Sequence, residues 1–102
     1  MDQKYAFKII DKYLNRLKSN ELKVNSVYLF GSFAKGTFHE DSDIDLAIVF
    51  DVVKNIFETE VTLMALRKGD ETLIEPHVFE KDDFTGYNPF VSEILRYGIK
   101  IK

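Results

Sequence analysis

Cysteine and tryptophan are absent from this 102-residue chain, and proline occurs only twice. Without cysteine there can be no disulfide and no thiolate metal site, which fits a cytoplasmic protein. A positive charge excess is also missing: 14 Lys+Arg stand against 17 Asp+Glu, a formal net charge of -3. A protein whose main task is to coat nucleic acid needs a basic surface, so direct nucleic-acid binding is not expected. Long apolar runs are missing too. None exceeds five residues, and the N-terminus M-D-Q-K-Y-A-F-K is charged from its second position. No membrane span and no apolar signal core are therefore expected. Length imposes a further limit. A chain of this size makes a single domain and buries roughly two-thirds of its unfolded surface. It has no room for a deep substrate lobe, so its site must be shallow or completed by something else.

What is present is a globular balance of 45% hydrophobic and 30% charged residues. Ala6, Ile9, Ile10, Tyr13, Leu14 and Leu17 recur at three-and-four spacing. This predicts an amphipathic helix over 3–19, with Asp2 as N-cap, Asn20 as its end and lysines on the outer face. Residues 24–30 read as a strand that stops at Gly31-Ser32, followed by one or two helical turns to Gly36. Residues 43–50 are the clearest strand, apolar on both faces beyond its first carboxylates, as in a sheet covered on both sides. A helix is predicted over 52–68 with Gly69 as C-cap, a strand over 72–79 and a turn over 82–87. Asn88-Pro89 opens a helix that runs to Tyr97 and ends at Gly98, with 99–101 as a short edge strand. The whole predicts a single α+β domain over 1–102, an α/β sandwich in which helices pack on a small mixed sheet of three to four strands.

The chemistry concentrates in residues 29–50, L-F-G-S-F-A-K-G-T-F-H-E-D-S-D-I-D-L-A-I-V-F. A strand runs into Gly31-Ser32 and a helical turn, where free N–H groups, a serine hydroxyl and a residue without Cβ can cradle a phosphate. Taken alone, a Gly-Ser dipeptide is more often a plain turn. Asp43 and Asp45 are separated by one residue on a strand, so alternation puts both carboxylates on one face, roughly 7 Å apart. Such a pair suits a divalent cation, which relieves its repulsion; a simple polar strand start is an equal alternative. The two features lie across one loop and bring cradle and carboxylates to the same sheet edge. That joint arrangement is what a Mg²⁺–nucleoside triphosphate needs.

The run G-S-x-A-x-G followed by S-D-I-D-L resembles the DNA polymerase beta-like nucleotidyltransferase superfamily. It is most similar to the minimal nucleotidyltransferase branch, whose members pair as antitoxins with HEPN-domain partners. The resemblance implies that Gly31 and Ser32 bind the triphosphate and that Asp43 and Asp45 hold two Mg²⁺ ions. Lys35 stands where many relatives carry arginine, keeping a cation without its bidentate geometry, and Gly36 closes the turn. The family's third carboxylate lies on a later strand. In E-T-L-I-E-P-H-V-F, Glu75 is the candidate, with a solvent-facing charge at a strand end as the alternative. On an extended 72–79, Leu73, Glu75, His77 and Phe79 share one face, and Pro76 marks an edge or irregular strand. His77 is read as a satisfied histidine at the sheet edge, with proton transfer or acceptor binding as the alternative, and His39 and Glu40 as a solvated loop, with substrate contact as the alternative.

By this resemblance the chain is a Mg²⁺-dependent nucleotidyltransferase. It would move a nucleoside monophosphate, AMP from ATP, to a hydroxyl on a HEPN-type toxin partner. An alternative is an antitoxin that only occludes its partner, through Phe33, Phe38, Phe84 and Phe90 where these are not core. Another is a small-molecule nucleotidyltransferase, for which the chain has little room. A homo-oligomer is left open.

Overall fold

The computed structural model describes residues 2–39 and 41–102. Helix α1 spans Gln3–Ser19, with the bounds its spacing predicts. Asp2 caps it by accepting from the Tyr5 N–H at 2.8 Å. Its buried stripe is Ala6, Ile9, Ile10, Tyr13 and Leu17, and Lys4, Lys8, Lys12 and Lys18 face solvent. Strand β1 (Val24–Phe30) leads into the one-turn helix α2 (Ser32–Lys35), and β2 spans Ile44–Phe50. Helix α3 (Ile56–Ala65), strand β3 (Ile74–Glu80), helix α4 (Pro89–Tyr97) and strand β4 (Ile99–Lys100) complete the order.

The sheet runs β3-β2-β1-β4 and is mixed. β1 pairs antiparallel with β2 and β4, and β2 pairs parallel with β3. Alternation sends Val27, Leu29, Ile44, Leu46, Ile48, Ile74 and Val78 to one face. There they form the main core with the α1 stripe, Phe33 of α2 and Leu63 of α3. The opposite face of the sheet carries Tyr28, Phe30, Asp45, Ala47, His77 and Phe79. Phe84 packs there on Tyr28 and Phe79, and Phe90 of α4 meets Phe30, His77 and Phe79. Among the described residues no helix is long and apolar enough to cross a membrane.

Three boundaries differ from the pattern-based reading, and caps explain them. The helix expected over 52–68 is confined to Ile56–Ala65. Asn55 is extended and accepts from the Glu58 N–H at 2.9 Å, which sets the start. Arg67 sets the end by turning back to donate to the carbonyls of Met64, Thr72 and Ile74. Gly69 then opens a 3-10 turn, Gly69–Leu73, instead of closing the helix. That turn takes Thr72 and Leu73 out of β3, so Leu73 does not join Glu75, His77 and Phe79. A second 3-10 turn, Lys81–Asp83, precedes the loop into α4.

Two donors from α1 tie down the end of α3. The Tyr13 hydroxyl donates to the Leu63 carbonyl at 2.6 Å, and Arg16 donates to Leu66 at 3.3 Å. These carbonyls lie in the last turn, where helical partners run out. Burial pushes the Tyr13 hydroxyl pKa well up, against the charges of Arg67 and Arg16. Arg16 also pairs with the buried Glu71, which accepts from the Lys68 N–H.

Part of the outer side of β3 is satisfied locally. The Ile74 carbonyl accepts from Arg67, and the Val78 N–H donates to Glu60 at 3.0 Å. The Glu80 carbonyl accepts from the Phe84 N–H. Pro76, between them, has no N–H to satisfy.

Candidate active site

The end of β1 and the start of β2 lie side by side, because Phe30 pairs with Asp45 across the antiparallel ladder. Gly31 turns the chain out of β1 with φ 75 and ψ -153. That region is accessible in practice only to glycine. A second constraint acts at the same point: a Cβ on Gly31 would collide with the Asp45 carboxylate, whose Cγ would lie 3.3 Å away. The bare backbone therefore lies against a carboxylate. The Gly31 turn and the Asp45 carboxylate face one another across the loop.

Ser32 starts α2, whose first-turn N–H groups have no partner within the helix. α2 is held by Phe33, buried and stacked on Phe38 at 4.6 Å, and by Gln3, which donates to the Phe33 carbonyl at 2.7 Å. Gly36 closes the turn in the left-handed region with φ 74. Lys35 projects toward α4: its ammonium lies 3.2 Å from Glu93 and 5.7 Å from the centroid of the Tyr97 ring.

On the other side of the loop, Ser42 is buried and its hydroxyl accepts from the His39 N–H at 2.8 Å. His39 itself is exposed, its Nδ1 accepting from the Asp41 N–H at 3.3 Å, and it serves the loop rather than the site. Glu40 lies outside the described residues. Asp43 is exposed just ahead of β2, and Asp45 is half-buried on its first turn of pleat.

The parallel register sets Glu75 beside Asp45 and His77 beside Ala47, on the same face. Glu75 is exposed, and among the described residues no three acidic or histidine side chains converge to hold a metal. Asp43 and Asp45 are the pair at hand.

His77 is not the satisfied edge histidine that its sequence context suggests. Its Nε2 is buried without a hydrogen-bond partner and lies 3.5 Å from the Asp45 carboxylate, an ion-pair distance. Contact with that carboxylate raises the imidazole pKa above its usual value. Partial burial opposes the shift, and the charges of Asp45, Glu60 and Glu75 add to it. The ring is held edge-on between Phe30 and Phe90. A histidine two residues after the candidate Glu75 on an alternating strand was the available signal, but it needed the β2–β3 register to point at Asp45.

Comparison with known proteins bears on the family and the fold. The model of the nucleotidyltransferase domain family matches residues 10–101. The protein adenylyltransferase MntA of Shewanella oneidensis is 40% identical over a match covering 74% of this chain and 64% of that protein. A Methanocaldococcus jannaschii protein assigned as a protein adenylyltransferase is 28% identical, covering 78% of this chain and 80% of its own. A Sulfolobus solfataricus crystal structure assigned as a nucleotidyltransferase superposes with a TM-score of 0.66 at 25% identity, covering 79% of this chain and 72% of the other. The crystal structure of a toxin-antitoxin with AMP-PNP shares the fold, with a TM-score of 0.60 at 23% identity over 90% of this chain and 71% of that one.

Proposed function

The chain belongs to the nucleotidyltransferase domain family, and on that premise we propose that it transfers AMP from ATP to a hydroxyl on a HEPN-type toxin partner, acting as an antitoxin that depends on Mg²⁺. The observation that carries the transfer chemistry is the contact between the Gly31 backbone and the Asp45 carboxylate. It sets the Asp45 carboxylate directly beside the glycine turn, so a cation held by that carboxylate would lie next to a phosphate received there. The relative MntA, named a protein adenylyltransferase, supports AMP transfer to protein. The fold shared with a toxin-antitoxin that holds AMP-PNP supports the partner and the donor.

Asp43 and Asp45 fit Mg²⁺ by their chemistry. They are hard oxygen donors, two in number, Asp43 exposed and Asp45 half-buried against the Gly31 turn; Mg²⁺ commonly takes one or two carboxylates, several waters and substrate phosphates. When bound there, the ions neutralise charge on the phosphates and on the attacking and leaving oxygens. The protein's own part is positioning. Ser32 and the amides after Gly31 receive the outer phosphates, and Lys35 supplies a cation beside them. The acceptor oxygen attacks the α-phosphorus while the bond to pyrophosphate breaks. Glu75, next to Asp45 in register, is the residue we assign to take the hydroxyl proton. The glutamate is one methylene longer than the aspartate usual in the superfamily, so it reaches from an exposed position.

The test is transfer of α-labelled ATP to a co-expressed partner in Mg²⁺. Asp43→Asn is expected to reduce labelling at least 100-fold while the fold is retained. Undiminished labelling would overturn the metal role. If the variant still neutralised the partner without labelling it, neutralisation would be by occlusion.

A further inference from the structure

A half-open cleft of about 370 Å³ lies next to the cradle, between the end of β1 and α4. Phe30, Gly31 and Lys35 form one wall; Phe90, Glu93 and Tyr97 project from α4 at helical spacing to form the other. Phe90 and Tyr97 are 48% and 54% exposed, large rings left without full partners. We propose that this cleft holds the base of the donor nucleotide, and that Glu93 selects bases carrying an exocyclic amine. The inference rests on the nucleotidyl-transfer reading above.

Three observations lead to a base. The first is reach. Gly31 belongs to both cradle and cleft, so a base tethered through its ribose to phosphates at Gly31 can enter. The second is direction. In-line displacement places the acceptor opposite the leaving pyrophosphate, and therefore away from Gly31 and Ser32. That is the β3 side of Asp45, since the sheet order sets β3 and β1 on opposite sides of β2. The ribose oxygen projects from the phosphorus across that line, so the nucleoside turns aside from it, toward α4, whose Phe90 lies over this face of the sheet against Phe30, His77 and Phe79. The third is chemistry. The walls are aromatic and apolar, and every base has a face that stacks on such rings. Phe90 is already fixed edge-on against Phe30, with centroids 5.5 Å apart.

Glu93 supplies selectivity. An ionised carboxylate only accepts hydrogen bonds. In the free protein it is engaged by Lys35 at 3.2 Å. A triphosphate on the cradle draws that ammonium toward itself and leaves the carboxylate free to accept from an amine. Adenine offers its N6 amine. Hypoxanthine presents an oxygen at the same position, and two acceptors facing one another repel.

Equilibrium binding in Mg²⁺, with ATP, ITP and inorganic tripolyphosphate as probes, separates the possibilities. ATP is expected to bind about tenfold or more tighter than tripolyphosphate, the margin a stacked base supplies. Tyr97→Ala and Phe90→Ala, both at exposed ring positions, should remove most of that margin and leave tripolyphosphate binding as it is. Glu93→Gln, which can donate as well as accept, should bring the ATP-to-ITP affinity ratio close to one. Equal binding of ATP and tripolyphosphate would overturn the base cleft and leave the cradle standing. Equal losses for both probes in Tyr97→Ala and Phe90→Ala would do the same. If none of the probes binds, the transfer reading fails together with the cleft.

Discussion

Asp45 has two neighbours of opposite character, the bare backbone of Gly31 and the imidazole of His77. Each yields a measurement. In metal-free protein, Asp45 raises the His77 pKa, so the pair's contribution to stability is fully present below the unfolded imidazole pKa of about 6.5. It fades as pH rises through the higher folded value. Asp45→Asn should bring the His77 titration, followed by NMR in chelator, back toward the ordinary range; an unmoved titration would show that Asp45 is not the cause. For Gly31, alanine must enter a glycine-only region and also strike the carboxylate. Gly36 has a similar φ but open space around it, so Gly36→Ala pays for conformation alone. Gly31→Ala should therefore lower the unfolding free energy by more than Gly36→Ala, whose cost is about 1–2 kcal/mol, and should abolish nucleotide binding. The approach of Gly31 to Asp45 was legible in the sequence because the two meet across a single short loop. The contacts of His77 with Asp45 and of Glu93 with Lys35 were not, because they depend on the register of β3 on β2 and on the docking of α4.

Among the elements, α1, β1 and α4 kept the bounds their patterns predict, and each carries its own stop signals. Asp2 opens α1, Asn88 accepts from the N–H groups of Phe90 and Val91 to open α4, and Gly98 ends it. A Cβ on Gly98 would press into the Ile94 carbonyl and come within 3.1 Å of the Leu29 carbonyl, so glycine also lets α4 end against β1. Helix α3 was harder to read. Its apolar spacing continues to Leu66, but only Leu63 is buried within it, and its termination depends on Arg67 reaching the carbonyls of Thr72 and Ile74. Periodicity reports the wish to be helical; the donors that end a helix can come from elsewhere. Tyr13 is such a donor to α3. Tyr13→Phe keeps the ring and removes the hydroxyl, so chemical denaturation should show a loss of about 1–2 kcal/mol. No loss would mean that the Leu63 carbonyl finds another donor.

At the scale of the whole molecule, a domain of this size has a total stability of about 5–15 kcal/mol. The Arg16–Glu71 pair, which joins α1 to the turn leading into β3, is therefore a sensitive point. The Glu71 side chain is 2% exposed, and one of its oxygens already lacks a partner. Arg16→Ala would strand that carboxylate, at a cost of about 3–5 kcal/mol, read as a large fall in denaturation midpoint. A fall of under 1 kcal/mol would show that the carboxylate is protonated or reaches water. The outer side of β3 has a different consequence at this scale. With Arg67, Glu60 and Phe84 occupying its backbone groups and Pro76 offering no donor, this margin is a poor template for another strand. Crowded copies are thereby hindered from zippering into cross-β stacks along it. A protein that binds against this margin must rely more on side-chain relief, because three of the backbone groups that main-chain addition to the sheet would use are already taken and Pro76 offers no donor.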